Sequence, residues 1–226
     1  HQLVILIIKI LHRIPGGLHF LKTLYCYDEP GLEREVFGLK FLNPVGLAAG
    51  FDKNADFYKE FRSFGFGFIE IGTVTPRPQP GNPKPRSFRL PGDKALINRM
   101  GFNNMGAEAA VKKLRDRPEG YIIGGNIGKN SLTPNSKAVD DYEYCFEKLY
   151  DHVDYFVINV SCPNISDMSE LQDQDMLTVI LEKIVSLRAR KPVQKPVLLK
   201  VSPDLNEKQV DETLKLVESA GIDGIV

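Results

Sequence analysis

The chain repeats one pattern, in which a short and continuously apolar stretch alternates with a helix-like stretch. The apolar stretches span residues 45–50, 66–74, 121–126, 155–159, 197–200 and 224–226. The helix-like stretches span residues 55–64, 107–114, 139–150, 175–190 and 206–220. Apolar strands that alternate with helices are typical of a parallel sheet that is buried on both faces. The series predicts an α/β fold, a (β/α)8 TIM barrel of which about the first six strands are present, with an open doubly wound sheet as the alternative.

Composition narrows the class of protein. The 226 residues include 29 basic and 29 acidic side chains, so the net charge is zero and no basic excess favours nucleic acid as a partner. The cysteines Cys26, Cys145 and Cys162 are widely spaced and form no CxxC pair. Zinc binding and a disulfide framework are therefore not indicated, and we expect no metal.

Residues 1–27 differ from the rest of the chain. An apolar run up to Ile14 is broken by Pro15-Gly16-Gly17 and resumes from Leu18 to Tyr25, which predicts two short helices. The segment carries three basic and no acidic residues, and its apolar run is shorter than the roughly 20 residues that a spanning helix needs. It is either a monotopic membrane anchor or a helix pair packed on the domain. We divide the chain into this helical segment and a barrel over residues 28–226.

A long insertion, Thr75 to Gly106, follows the second apolar stretch and is rich in proline and arginine. We expect it to lack regular structure, and long connections of that kind usually serve a function. Its position after a strand places it at the carboxyl end of the barrel, where barrel active sites are built.

Polar side chains close the apolar stretches. Lys53, Asn126, Asn159 and Lys200 lie at or next to four of these ends, and Thr73 closes the remaining complete one. In a barrel all five point into one mouth, where they offer hydrogen-bond donors and no carboxylate cluster. They suit an anionic or carbonyl-rich ligand better than a metal; ordinary capping of strand ends is the alternative. Glycines at the same ends would let the backbone approach a ligand closely.

The segment Asn159-Val-Ser-Cys-Pro-Asn164 places a thiol and two amides directly after a buried strand. Cys162 is therefore a candidate general base or nucleophile, although a lone cysteine is more often a small buried apolar side chain. No histidine lies at a strand end, so no histidine-based triad is visible.

Seven motifs span residues 43–53, 70–82, 85–90, 97–104, 125–130, 159–164 and 200–205. In this order they resemble those of one family, the class 2 dihydroorotate dehydrogenases, and the resemblance covers about Glu33 to Val226. The resemblance implies a β/α barrel that holds FMN and oxidises dihydroorotate to orotate in pyrimidine synthesis. It also implies that a respiratory quinone accepts the electrons.

The resemblance further implies roles for individual residues. Cys162 falls at the catalytic base. Flavin contacts fall at Ala49, Gly50, Thr73, Asn126, Asn159 and Lys200. Substrate contacts fall at Lys53, Asn98, Arg99, Met100, Gly101, Phe102, Asn159 and Asn164.

Class 2 members carry two amino-terminal helices that sit in the membrane surface and form the quinone entrance. Leu3 to Tyr25 is similar to that element, which favours peripheral membrane contact through residues 1–27. We expect the cytoplasmic face of a bacterial inner membrane, with the mitochondrial inner membrane as the alternative.

Two features depart from the class 2 pattern. Class 2 enzymes usually have serine as the base and threonine after the last asparagine of that motif, whereas this chain has Cys162 and Ile165. The serine enzymes use that threonine to relay the proton away, and a thiol with an ordinary pKa of about 8.5 can ionise without it. The chain also stops where a sixth strand begins. We therefore expect it to be the amino-terminal two-thirds of the protein, which binds FMN poorly by itself.

Three alternatives stay open at this stage. Cys162 favours a class 1 enzyme that uses fumarate or NAD, while the basic apolar N-terminus and the insertion oppose it. A barrel that only binds a phosphorylated ligand would not depend on Cys162. A dihydrouridine synthase acting on RNA is disfavoured because the chain has no basic excess.

Overall fold

A computed structural model describes residues 2–27, 29–160 and 174–226. The helices are α1 (Gln2–Arg13), α2 (Gly17–Tyr25), α3 (Tyr58–Phe61), α4 (Ala107–Leu114), α5 (Ala138–Leu149), α6 (Gln174–Ala189) and α7 (Glu207–Ala220). The strands are β1 (Arg34–Val36), β2 (Leu39–Phe41), β3 (Gly46–Leu47), β4 (Phe68–Val74), β5 (Ser87–Leu90), β6 (Ala95–Asn98), β7 (Ile122–Ile127), β8 (Tyr155–Asn159), β9 (Val197–Lys200) and β10 (Gly224–Ile225).

One parallel sheet organises the chain. Its six strands lie in the order β3-β4-β7-β8-β9-β10, and every neighbouring pair is parallel. Each strand therefore lies beside the sheet strand that precedes it in the chain. A doubly wound sheet would reverse this order at a switch point, and no reversal occurs. The predicted barrel is confirmed as a curled half-barrel, and the doubly wound alternative is wrong.

The sheet separates two apolar regions. The larger core lies between the sheet and its helices and includes Ile71, Ile123, Phe146 and Phe156, none of which is accessible to solvent. A smaller cluster lies on the inner face of the sheet around Tyr155 and Val157. Successive residues of a strand point alternately into these two regions. Because both regions are apolar, the strands appear as continuous apolar runs in the sequence.

Strands β1 and β2 form an antiparallel hairpin. Its turn residues Phe37 and Gly38 both have positive φ, 56° and 74°, as the tight turns of hairpins require. Its second strand packs on the inner cluster, where the ring of Phe41 meets that of Phe68 edge-on at 5.1 Å between centroids. The hairpin therefore covers the inner face of the sheet with apolar side chains.

Three local predictions are wrong in part. The first strand, predicted over residues 45–50, is regular only over Gly46–Leu47. The helix predicted to start at Ala55 starts at Tyr58, because Ala55 has φ 55° and the Asp52 carboxylate accepts the backbone N–H groups of Asp56 and Phe57 at 2.7 and 2.9 Å. The long insertion contains the antiparallel hairpin β5–β6 where we expected no regular structure.

The amino-terminal segment forms two helices, as predicted. Ile8 and Leu21 face the domain and are buried, and the ring nitrogen Nε2 of His12 lies 2.8 Å from the hydroxyl of Ser63. The two helices also expose a set of large apolar side chains: Leu6, Ile7, Ile10, Ile14, Leu18, Phe20, Leu24 and Tyr25. Within the described ranges, no helix combines the length and apolar character needed to cross a membrane.

Two aspartate clamps lie just before strands β8 and β10. Asp154 accepts the backbone N–H of Ile123 and pairs with Arg117. Asp223 repeats this arrangement with the backbone N–H of Val197 and with Arg188. Each clamp ties the loop before one strand to the start of the preceding strand, which fixes the register of adjacent strands.

Candidate active site

The carboxyl ends of the parallel strands open into a cleft of about 810 Å³. That volume is in the range of pockets that enclose small molecules. One wall follows β3, the floor is formed by the ends of β4, β8 and β9, and the opposite wall comes from the insertion. The insertion therefore lies at the mouth of the barrel, as its position in the sequence predicts.

A chain of hydrogen bonds runs beneath the cleft across β4, β7 and β8. The Asn159 side chain donates from Nδ2 to the Thr73 hydroxyl at 2.8 Å and to Asn126 Oδ1 at 3.3 Å. The Thr73 hydroxyl donates to Asn126 Oδ1 at 2.6 Å. Asn126 in turn donates from Nδ2 to the Glu70 carboxylate at 2.8 Å. These side chains are buried, so each bond is shielded from competing water.

Glu70 is the acidic end of this chain. Burial raises the pKa of its carboxyl group above the ordinary value, while the hydrogen bond from Asn126, the positive charge of Lys200 and the hydroxyl of Tyr155 act in the opposite direction. The Tyr155 hydroxyl lies 3.4 Å from the second carboxylate oxygen. Lys200 ends β9 and lines the cleft, and its positive charge acts on the carboxyl group of Glu70, which lies below the cleft.

Lys53 enters the cleft from the segment after β3, and its Nζ donates to Asn103 Oδ1 at 3.1 Å. Its partner belongs to the insertion segment that faces it. That segment brings backbone and side chains from Asn98 to Asn103 to the cleft, with Phe102 in the left-handed region at φ 49°. The hydrogen bond to Asn103 therefore holds the ammonium group of Lys53 at the cleft, against the wall that the insertion forms.

Amide side chains hold the Phe102 conformation in place. Gln79 donates from Nε2 to the carbonyl oxygens of Gly101 and Phe102, both at 3.1 Å. Asn104 donates to the same Phe102 oxygen at 2.7 Å and is itself buried. Asn130 donates to Gln79 Oε1 at 2.9 Å and so connects this loop to the end of β7. The loop is thus fixed to the barrel by hydrogen bonds on its inner side.

The backbone at Gly50 forms the rim of the cleft. Its N–H donates to the carbonyl oxygen of Gly72 at 2.8 Å, and its φ is 103°, a value that side chains other than glycine rarely adopt. An added Cβ atom there would meet no other atom within 4 Å. The glycine is thus required by backbone conformation, and it leaves open space on the cleft side.

The structure brings most of the predicted site residues together. Those that line the cleft are Ala49, Gly50, Lys53, Thr73, Asn98, Met100, Gly101, Phe102, Asn159 and Lys200. Asn126 lies beneath them and contacts two of them through the hydrogen bonds above. Arg99 does not line the cleft: its guanidinium donates to the carbonyl oxygen of Pro85. Cys162 and Asn164 lie outside the described residues.

Several residues of the site were missed from the sequence. Glu70 was not assigned a role, although a lone acidic residue inside an apolar strand is itself a signal. Asp52, which is 1% exposed, shapes the turn after β3, and the aromatic side chain of Phe57 lines the cleft. Neither had a signal in the sequence, because both depend on the fold of the Ala55 turn.

Over residues 2–27, 29–160 and 174–226, no group of three or more histidine, cysteine, aspartate or glutamate residues is placed to hold a metal ion. Cys145 lies on the buried face of α5, and burial raises the pKa of its thiol well above the ordinary value. It is a packing residue of the core.

Comparison with known proteins identifies relatives over nearly the whole chain. The family model for dihydroorotate dehydrogenase matches residues 31–226. A dihydroorotate dehydrogenase (quinone) from Christiangramia forsetii is 53% identical over 214 residues, which cover 95% of this chain and 63% of that protein. Proteins of the same name from Coxiella burnetii and Thermosynechococcus vestitus are 47% and 51% identical, covering 64% and 56% of their own lengths. The chain thus spans less than two thirds of these relatives.

Two solved structures of DHODH are similar to this chain in fold and sequence. Ligand-free DHODH from Eimeria tenella superposes with a TM-score of 0.83 at 36% identity, covering 94% of this chain and 68% of that one. DHODH from Eimeria tenella in complex with ferulenol gives a TM-score of 0.82 at 35% identity, covering 94% and 65%. Sequence, sheet order and these superpositions agree, and the chain belongs to the dihydroorotate dehydrogenase family.

Proposed function

We propose that the full-length protein oxidises (S)-dihydroorotate to orotate in pyrimidine biosynthesis, with FMN as cofactor and a membrane quinone as electron acceptor. The observation that carries this proposal is the cleft at the carboxyl ends of consecutive parallel strands. Its floor and walls supply amide, hydroxyl and ammonium groups in a protein that is 53% identical to a dihydroorotate dehydrogenase (quinone). Such a set of donors suits flat ligands that carry carbonyl groups and negative charge.

The residues present fit FMN. Ala49 and Gly50 offer an open backbone rim, and Thr73, Asn126, Asn159 and Lys200 supply the polar groups beneath it. The ammonium group of Lys200 would favour a ligand on which negative charge develops. When bound there, FMN would supply the two-electron redox chemistry that connects oxidation of the substrate to reduction of the quinone.

Lys53 and the segment from Asn98 to Phe102 are proposed to hold the substrate. The ammonium group of Lys53 would neutralise the substrate carboxylate, and the carboxamides of Asn98 and Asn159, which line the cleft, would match N–H and C=O groups of the ring. Asn164 is assigned the same role from its place in the motif that begins at Asn159. Met100 and Gly101 line the same wall. Arg99 is a weaker candidate because its guanidinium turns to Pro85.

Cys162 is proposed as the base that removes the proton from C5 of dihydroorotate. The support is its place directly after β8, in the motif that begins at Asn159. The thiolate form is the basic one, and a thiol is far more acidic than an alcohol. Cys162 would therefore act without the threonine relay that the serine enzymes use, in agreement with Ile165 at that position.

The amino-terminal helices are proposed to contact the membrane and to admit the quinone. Their exposed apolar side chains and three basic residues suit the interface of a bilayer. Lys9 of α1 lies over the ring of Phe57 at 4.7 Å, and Phe57 lines the cleft, so the helix pair borders the site. We propose peripheral attachment to the cytoplasmic face of a bacterial inner membrane.

An anaerobic absorption spectrum of the full-length protein tests this function. We expect bound oxidised flavin that bleaches on addition of dihydroorotate and recovers on addition of a quinone. Recovery with fumarate or NAD instead would assign the protein to class 1. A protein without flavin, or a flavin that dihydroorotate leaves oxidised, would refute the proposal.

A further inference from the structure

Two consecutive residues in the wall of the cleft have a left-handed backbone. Gly101 has φ 69° and Phe102 has φ 49°, and both line the cleft. Glycine adopts this conformation readily, whereas a residue with a side chain does so at a cost in free energy and keeps it only where its surroundings hold it. The shape of this wall therefore depends on the contacts that hold the backbone of Phe102.

The conformation of Phe102 decides where the groups that we assign to the substrate lie. Its ring is 8% exposed and packs close to Gly128, where an added Cβ atom would come within 3.1 Å of it. One residue further on, Asn103 accepts the hydrogen bond from the ammonium group of Lys53 at 3.1 Å. A different backbone at Phe102 would displace both the wall and this partner of Lys53.

The carboxamide of Gln79, which does not itself line the cleft, contacts both left-handed residues. Its Nε2 donates to the carbonyl oxygens of Gly101 and Phe102, both at 3.1 Å, and to Ser131 Oγ at 3.2 Å. Its Oε1 accepts from the backbone N–H of Ser131 and from Asn130 Nδ2, both at 2.9 Å. The side chain therefore connects the wall of the cleft to the segment that follows β7.

The orientation of the Gln79 carboxamide is fixed by these partners. A backbone carbonyl can only accept and a backbone N–H can only donate, so the donor end must face the wall and the acceptor end must face Ser131. The backbone of Gln79 is also held, because its N–H and carbonyl groups pair with those of Asn104 at 2.9 and 3.1 Å. Asn130 is 4% exposed, and its backbone N–H donates to Asp141 on α5 at 2.8 Å. Gln79 thus holds the wall from a rigid support.

We infer that Gln79 is a positioning residue for the substrate, which holds Gly101 and Phe102 in the conformation that forms the wall of the cleft. This inference rests on the proposed function. The residues proposed to contact FMN lie in or next to β3, β4, β7, β8 and β9, whereas Gly101 and Phe102 belong to the insertion. Loss of the donor end of Gln79 should therefore weaken substrate binding and leave flavin binding unchanged.

Titration of the oxidised full-length holoenzyme with orotate at pH 8 tests the inference, with the change in flavin absorbance as the readout. Only molecules that hold flavin give this signal, so a general loss of stability does not alter the dissociation constant. Gln79→Glu keeps the length of the side chain and an acceptor for Ser131, but turns a carboxylate oxygen toward the two carbonyl oxygens of the wall. Its dissociation constant for orotate should be about tenfold higher than that of the wild type, the value of one well-placed hydrogen bond.

Reduction of the flavin by dihydroorotate gives a second readout. In stopped-flow experiments on Gln79→Glu, the dihydroorotate concentration at half-maximal rate should rise by the same factor as the dissociation constant of orotate. The limiting rate should stay close to that of the wild type, because the proposed base and flavin contacts are held by other segments. A lower limiting rate with an unchanged half-maximal concentration would contradict the inference.

Ser131→Ala is the matched control, since it removes the third acceptor of Gln79 Nε2 and leaves the bonds to Gly101 and Phe102. Ser131 is exposed, and its backbone N–H still donates to Gln79 in this variant. Ser131→Ala should bind orotate as the wild type does. If Gln79→Glu does not retain flavin, Gln79→Met decides, because it removes the same donor without adding a charge and should weaken orotate binding in the same direction.

The outcomes separate the inference from the function on which it rests. A wild-type flavin that does not respond to orotate overturns the proposed function and the inference with it. A wild-type response with an unchanged affinity in Gln79→Glu, or in Gln79→Met where that variant decides, overturns the inference alone. Equal weakening in Ser131→Ala, or loss of flavin from both Gln79 variants, would also overturn it, because the effect would then not follow the bonds to the wall.

Discussion

The carboxylate of Glu70 and the carboxamide of Asn126 meet at 2.8 Å across the adjacent strands β4 and β7, inside the curve of the sheet. Burial raises the pKa of Glu70. The hydrogen bond from Asn126 and the charge of Lys200 lower it but do not cancel the effect of burial. Keeping this carboxylate ionised therefore costs stability. The carboxylate lies below the cleft, at the edge of the apolar pocket that Phe68, Tyr155 and Leu198 line.

The first prediction concerns the stability of Glu70→Gln. An acid whose pKa is raised on folding binds its proton more tightly in the folded state, so the free energy of unfolding falls as pH rises from the ordinary value, 4.5, through the raised one. Glutamine removes that dependence. At pH 8 the variant should be more stable than the wild type by about 1 kcal/mol, as measured by denaturant unfolding of the full-length protein. Glu182→Gln, at an exposed position on α6, should leave the wild-type dependence unchanged.

The second prediction concerns Lys53. Replacing it with methionine keeps most of the side-chain volume and removes the ammonium group that faces the cleft. The dissociation constant of orotate should rise about 10- to 100-fold, which corresponds to the loss of one charge-assisted hydrogen bond. Titration of the flavin spectrum measures it. Lys59→Met, at an exposed position on α3, should bind orotate as the wild type does; equal binding by both variants would contradict the assigned role.

The third prediction concerns Cys162 and Ile165. Flavin reduction by dihydroorotate should accelerate as pH rises through the ionisation of the thiol, because the thiolate is the base. Cys162→Ser should reduce flavin more slowly than Cys162→Ser combined with Ile165→Thr, since the alcohol needs the relay that threonine supplies. Stopped-flow measurement of flavin bleaching compares the two. Equal rates would rule out the coupling between the two positions.

The fourth prediction concerns the aspartate clamps. Asp154→Ala leaves the backbone N–H of Ile123 and the side chain of Arg117 without their carboxylate, which should cost about 2 kcal/mol of unfolding free energy. Asp223→Ala should have a similar effect, and the double variant should show their sum, because the clamps share no partner. Denaturant unfolding measures all three. Asp151→Ala, at an exposed neighbouring position, should change little.

The fifth prediction concerns membrane contact. Replacing Ile7, Ile10 and Phe20 together with glutamate puts three charges on the exposed apolar side of α1 and α2. Binding of the full-length protein to vesicles of neutral and anionic phospholipids should fall at least about tenfold in a flotation assay. Leu132→Glu, at a position 93% exposed on another part of the surface, should leave binding unchanged. Unaltered flotation of the triple variant would contradict the membrane proposal.

The sequence predicted the repeating part of the fold well. Strands β8 and β9 and helix α4 have the predicted bounds, because a buried parallel strand and its helix each leave a local apolar pattern. Because Thr73, Asn159 and Lys200 close apolar stretches, the sequence also predicted that they share one cleft, as they do. A barrel brings together the residues at its strand ends whatever the length of the segments between them.

The rest could not be predicted, because it depends on contacts between distant segments. The late start of α3 follows from the side chain of Asp52 and the left-handed Ala55, neither of which leaves a periodic pattern. The β5–β6 hairpin was hidden by prolines and arginines that suggested an irregular loop. The turn of Arg99 away from the cleft depends on the carbonyl oxygen of Pro85, fourteen positions away.

The order of strands in the six-stranded sheet also bears on how the protein is made. Each strand pairs with the sheet strand that the ribosome has just released, so no pairing in this sheet has to wait for a distant part of the chain. The sheet can therefore grow one unit at a time during synthesis. The hairpin β1–β2, made before every strand of the sheet, is already available to cover its inner face as that face takes shape.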